Sequence, residues 1–207
     1  DRPLHVQFLR YIGDVLTGDF GRSISTGQLV TDDIRRVFPA TVELATLGTL
    51  IGVFVGVPLG VIAAARRGGI VDQIARVVAL VGYSMPIFWL GLMGLLVFYG
   101  ILGWVGGPGR QGILYDGMVP TITGLLLVDS LIEGDWGAFR DAFSHIILPA
   151  SLLGYFSLAY ISRMTRSFML EQLSSEYITT ARVKGLSERA VIWRHAFRNI
   201  RVPLITV

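Results

Sequence analysis

The chain has 207 residues, of which 52% are hydrophobic and only 16% charged, and its mean hydropathy is +0.60. Soluble domains carry about 25% charged residues, so a wholly soluble globule is excluded and the bulk of the chain is expected in lipid. The net charge is +3, but the basic residues lie between long apolar runs rather than on one polar face, which argues against a nucleic-acid partner. There is no cysteine, which removes disulfides, thiolate zinc sites and cysteine nucleophiles. The sequence opens at Asp1 and stops at Val207 inside an apolar run, and so reads as part of a longer chain.

Residues 1–38 are expected to form a segment outside the membrane. The first span is expected over about 40–65. Leu44 to Ala65 is 22 residues without a charge, against the roughly 20 a bilayer needs, and Pro39 suits a first helical turn. The second is expected over about 77–104. Val77 to Gly109 carries no charge, and Gly106, Gly107, Pro108 and Gly109 cannot continue a helix. Within it, Ser84-Met85-Pro86 predicts a kink. The apolar stretch Thr121 to Ile132 is short and interrupted by Asp129, and is expected to be interfacial or re-entrant. A third span, about 146–165, would begin at Pro149, and a further one starts near Ile200. The fold expected is all-α and polytopic.

Basic residues set the orientation. The linker Arg66 to Arg76 has three arginines against one acid, and Arg163 to Asn199 has seven basic residues against three acids. Val105 to His145 reverses this, with two arginines against five acids. The two basic segments are therefore expected inside the cell, and Val105 to His145 and the region before Pro39 outside. Arg35 and Arg36 run against that rule.

In the first span Gly48, Gly52, Gly56 and Gly60 recur every fourth residue. They fall on one stripe of a helix and allow another backbone to come close. Pro58, among them, is expected to bend the helix.

The stretch from Ser174 to Ser187 reads as a short helix with its own start and stop. Ser174 or Ser175 can cap it, Glu176 suits the N-terminal end of the dipole, and Arg182 and Lys184 suit the C-terminal end. Gly185 takes the left-handed position beyond the helix. Ser187 offers a second cap, for a helix through Ala190, Val191, Trp193 and Phe197. Such a segment is either a rigid handle for a partner or a solvated connector, and local chemistry leaves both open.

Resemblance separates them. Tyr177-Ile178-Thr179-Thr180-Ala181-Arg182-Val183-Lys184-Gly185-Leu186, followed by Arg194-His195-Ala196-Phe197-Arg198-Asn199 and Pro203-Leu204, resembles the cytoplasmic coupling loop of ABC-transporter permeases that import dipeptides and oligopeptides. Gly82-Tyr83-Ser84-Met85-Pro86-Ile87-Phe88-Trp89, Ile147-Leu148-Pro149-Ala150 and Arg163-Met164-Thr165-Arg166-Ser167 match the same subgroup, as do Gly18-Asp19-Phe20-Gly21 and Leu126-Leu127-Val128-Asp129-Ser130. Where the general permease signature has Glu-Ala-Ala, this chain has Thr179-Thr180-Ala181, as the peptide subgroup does.

The resemblance implies a type I ABC importer permease domain over 39–207, part of a six-span subunit in the plasma membrane of a bacterium or archaeon. It implies a coupling helix over 176–186 that docks on a cytoplasmic ATPase subunit through Glu176, Thr180, Ala181, Arg182, Lys184, Gly185 and Leu186. In that reading Ala181 and Gly185 allow close approach, while Arg182 and Lys184 meet polar or acidic groups. A second homologous permease chain, an extracytoplasmic peptide-binding protein and membrane lipid are the other partners implied. The chain has no G-x-x-x-x-G-K-[ST] motif, so no cofactor is expected in it, and ATP and Mg would be used by the ATPase. The permease is expected to be non-catalytic. Nickel, glutathione or opine import would keep the same architecture. His5, His145 and His195 do not pair at ligand spacing in a span, which speaks against haem or an intramembrane enzyme, and no filter-like motif suggests a channel.

Overall fold

The computed structural model describes residues 3–206; Asp1, Arg2 and Val207, the outer ends of the two predicted segments, lie outside the described residues. All regular structure among the described residues is helical, apart from one isolated antiparallel bridge between Arg22 and Leu29. Helix α1 spans Leu4–Leu16 and α2 spans Val30–Ala65. α3 (Ile70–Ser84) and α4 (Ile87–Gly94) follow, α4 continuing as a π-helical stretch, Leu95–Ile101. After a loop come α5 (Leu126–Ile132), α6 (Trp136–Leu173) and α7 (Glu176–Val183). The last element passes from α8 (Glu188–Ala190) through a π stretch, Val191–Ala196, into α9 (Phe197–Ile205).

Two helices, α2 and α6, are long and apolar enough to cross a membrane, and a third span results if α3 and α4 count as one broken crossing. Each starts earlier than the sequence suggests. α2 begins nine residues before Pro39, which lies inside the helix and is not its entry. Asp32 and Asp33 in its first turn complement the helix dipole, and Arg36 pairs with Asp33 at 2.9 Å. At 1.5 Å per residue α2 is about 54 Å long, well beyond the roughly 30 Å hydrocarbon layer, so its polar turns extend past it. The segment expected outside the membrane thus contains α1 and the first turns of α2.

Pro149 is likewise internal: α6 starts at Trp136, where Asp135 caps it by accepting from the amides of Gly137 (2.9 Å) and Ala138 (3.0 Å). The expected second span starts at Ile70 and breaks at the predicted kink, with a bend of 100°. Pro86 pushes Met85 into extended backbone, and the Ser84 hydroxyl turns back to the Leu80 carbonyl at 2.8 Å.

The glycine stripe explains how the two long helices meet. A Cβ on Gly52 would stand 2.5 Å from Ser157 Cβ, and one on Gly60 2.6 Å from the Ser162 carbonyl. Gly48 and Gly56 face Leu153 and Leu158 in the same way, and Gly154 of α6 returns the contact against Ile51. α2 and α6 therefore pack backbone to backbone along the stripe, and the helix runs on through Pro58.

Candidate functional site

A buried apolar cluster sits where the ends of α2 and α6 meet the C-terminal helices. Val61 and Ala64 come from α2, Met169 from α6, Ile178 and Ala181 from α7, Val191 and Ala196 from the π stretch, and Ile200 from α9. Ile178 and Ala181, three residues apart, are the inner face of α7. Tyr177 ties α7 down at its edge: its hydroxyl donates to Gln172 Oε1 at 2.8 Å and accepts from Asn199 Nδ2 at 2.9 Å.

The outer face of α7 is polar and exposed. Glu176 lies in the first turn and Thr180 one turn on, its hydroxyl donating to the Glu176 carbonyl at 3.1 Å. The helix closes as a Schellman motif: Leu186 N–H donates to the Ala181 carbonyl (3.3 Å) and Gly185 N–H to that of Arg182 (2.9 Å). Gly185 has φ +79°, a conformation that costs other residues about 1–2 kcal/mol. Ser187 then caps the next helix, accepting from Ala190 N–H at 3.4 Å.

Several sequence expectations change here. Ser175 stands at the N-cap position of α7, but neither serine caps it through its side chain; both hydroxyls donate backwards to the Glu171 carbonyl, at 2.8 and 3.2 Å. Ala181, expected to face a partner, is buried and faces this chain's own core. Arg182 forms a two-bond pair with Glu188, at 2.8 and 3.3 Å, bridging α7 to α8. The Arg182 guanidinium holds the Glu188 carboxyl below its ordinary pKa. Thr180, Lys184, Gly185 and Leu186 remain exposed beside this bridge.

A second polar centre, missed in the sequence, lies where α2 turns into α3. Asp72 is fully buried. It accepts from Arg166 Nε (2.6 Å) and Nη2 (3.0 Å), from Arg76 Nη2 (2.6 Å) and from Gly68 N–H (3.0 Å). The Asp72–Arg76 spacing of four is visible in the sequence; Arg166, 94 positions away, is not.

At the other end of the bundle, Glu43 accepts from Leu127 N–H (2.7 Å), at the N-terminus of α5, and from Arg110 (3.1 Å). Asp129 gathers the preceding turn, accepting from the amides of Ile122, Thr123 and Gly124 and from the Thr123 hydroxyl at 2.6 Å. Burial alone would raise the Asp129 pKa, but the bonds from Thr123, Gly124 and Ile122 outweigh it and hold it below the ordinary value. The stretch expected to be interfacial is thus a short helix pinned to α2 by Glu43 and wrapped around its own carboxylate.

Two apolar rods locked along a glycine seam, a broken third crossing and a capped helix seated on their ends define a polytopic, membrane-embedded helical subunit with a surface helix coupled to its bundle. Residues 56–207 match the family described as the binding-protein-dependent transport system inner membrane component, and the chain belongs to that family. Over its full length it is 45% identical to the di/tripeptide transport system permease protein DppB of Pseudomonas aeruginosa. It is 44% identical to the probable D,D-dipeptide transport system permease protein DdpB of Escherichia coli, and 44% identical to the dipeptide transport system permease protein DppB of the same species. In each case the match covers 61% of the relative, so the chain spans about three-fifths of the length of these proteins.

Proposed function

We propose that the chain is the membrane-spanning part of a permease subunit in an ATP-driven importer of dipeptides or short oligopeptides, in a bacterial inner membrane. It works with cytoplasmic ATPase subunits, a second permease chain and an extracytoplasmic peptide-binding protein. α7 is the coupling helix: Glu176, Thr180, Arg182, Lys184, Gly185 and Leu186 present its docking surface, and Ala181 anchors it from behind. Its basic surroundings lie in the cytoplasm, and the Val105 to His145 region, with α5, lies outside. The subunit catalyses no chemistry itself and holds no nucleotide.

The observation that carries this reading is the seating of α7. Ile178 and Ala181 are buried in one cluster with residues of α2, α6, the π stretch and α9, so a push on its outer face enters a core shared by those elements, as close-packed interiors transmit displacement and do not absorb it. The names of the relatives support the cargo class.

These 207 residues contain no cysteine, which simplifies the test. Single cysteines placed at Thr180 or Ser187 of the full-length permease, co-expressed with its ATPase, are expected to give crosslinks that change on adding ATP. An intact complex without a crosslink at either position would show that α7 is not the contact. Uptake of labelled dipeptides by the same complex checks the cargo.

A further inference from the structure

α3 is fastened to α6 by polar contacts more than by apolar packing. Among the described side chains of α3, Asp72 alone is buried, and it accepts from Arg166 of α6 through Nε at 2.6 Å and Nη2 at 3.0 Å. Six residues further on, the Tyr155 hydroxyl of α6 donates to the Val78 carbonyl at 2.5 Å. Beside these two pins the helices stand apart around a cavity of about 410 Å³, with Ala75 and Leu80 on one wall and Leu158 and Ala159 on the other.

Arg166 shares a turn of α6 with Met169, and Met169 is fully buried in the cluster on which α7 is seated. That one turn therefore reaches the seat of α7 through Met169 and the broken crossing through Arg166. Arg76 also pairs with Asp72, at 2.6 Å, but it lies four residues along α3 itself and joins nothing across the two helices.

We infer that Asp72 and Arg166 are positioning residues for transport, the joint by which a displacement of α7 and α6 carries α3, and with it the broken crossing, along. Removing one partner of a buried ion pair is costly, so the joint holds through the cycle and α3 moves with α6 as one body. Without it α3 keeps the pin at Tyr155 and turns about it. The inference rests on the coupling role proposed for α7.

The test uses the full-length permease assembled with its partner subunits in proteoliposomes. Arg166→Gln removes the joint and leaves Asp72 its bonds from Arg76 and Gly68; Arg76→Gln takes a guanidinium from the same carboxylate and leaves the joint. Dipeptide uptake per ATP hydrolysed should fall about tenfold in Arg166→Gln, the factor that one charged hydrogen bond commands in an equilibrium, and stay at the parent level in Arg76→Gln. A merely structural loss would lower hydrolysis and uptake together and leave their ratio unchanged. Arg166→Lys, which keeps the charge without the two-bond fork, should fall between the two and serves if Arg166→Gln does not assemble. Spin labels at Gln73 and Ser167, both exposed, read the joint itself: one narrow distance with and without ATP in the parent, a broad one in Arg166→Gln. An unchanged ratio in an assembled Arg166 variant, an equal fall in Arg76→Gln, or a parent distance that changes with ATP overturns the inference. The label distances do not depend on what α7 touches. If they behave as expected while crosslinks at Thr180 ignore ATP, the coupling role of α7 is lost and the joint between α3 and α6 stands; ATP-sensitive crosslinks beside an unchanged ratio mean the reverse.

Discussion

Replacing Gly52 by alanine tests the glycine seam where it is tightest. In a helix, Gly→Ala ordinarily gains up to about 1 kcal/mol from backbone entropy. At Gly52 the added methyl would stand 2.5 Å from Ser157 Cβ and 3.2 Å from Leu158 N, against the 3.5–4.0 Å at which carbon atoms pack best. Neither atom can rotate away, since one is a Cβ and the other backbone, so the helices must part by about 1 Å. Overpacking of this kind costs about 1–3 kcal/mol, more than the propensity gain. Gly91 is the control: its Cβ would lie 3.6 Å from Leu152 Cδ1, the end of a flexible side chain, so Gly91→Ala should be neutral or slightly stabilising. Thermal unfolding of the detergent-solubilised chain should therefore shift down for Gly52→Ala, by roughly 2–4 °C for each kcal/mol lost, and stay level or rise for Gly91→Ala. Equal behaviour of the two variants would refute the close approach of α2 and α6.

Three further outcomes are expected. Gly185→Ala forces a side chain into the left-handed region at φ +79°, so the Leu186 amide, which closes the motif on Ala181, should exchange several-fold faster with solvent deuterium while the α2–α6 seam is unaffected. Glu43→Ala removes the acceptor for Leu127 N–H, and exchange at that amide should rise roughly tenfold, the loss of about 1–1.5 kcal/mol. The Asp129 pKa is lowered in the folded state, so its contribution is present above the ordinary carboxylate value and lost as pH falls through the lowered one. Protection of the Thr123 and Gly124 amides should accordingly hold through neutral pH and collapse in acid. Asp129→Asn should lose it at all pH values.

The sequence announced what depends on periodicity and punctuation. The four-residue glycine spacing pointed to a packing stripe, Gly185 stopped α7 where the left-handed turn stands, Ser187 capped its successor, and Ser84-Met85-Pro86 marked the break. It misplaces helix starts because Pro39 and Pro149 look like entries and lie inside their helices. A proline costs a long helix one hydrogen bond, and packing along a seam of this length outweighs that loss. The bonds of Asp72, Glu43 and Asp129 were hidden for a different reason. Apart from Arg76, four residues from Asp72, and the Thr123 hydroxyl beside Asp129, their partners are backbone amides or arginines far along the chain, and only the folded path brings them together. Ala181 shows the same limit on a smaller scale, since a small residue on a helix fits an inner face as well as an outer one until its neighbours are known.

α6 takes part in the glycine seam, the Asp72 centre and the cluster beneath α7. Near one end Asp141 accepts from Gly112 N–H at 2.6 Å, and near the other Met169 is buried in the cluster beneath α7. Between them run 28 residues of one helix, about 42 Å. A tilt of about 5° on such a lever carries its far end through roughly 4 Å, close to the width of a side chain. A displacement at one end of α6 thus needs no relay of switching side chains to reach the other. It can cross as the swing of a single beam, with the glycine seam as its bearing.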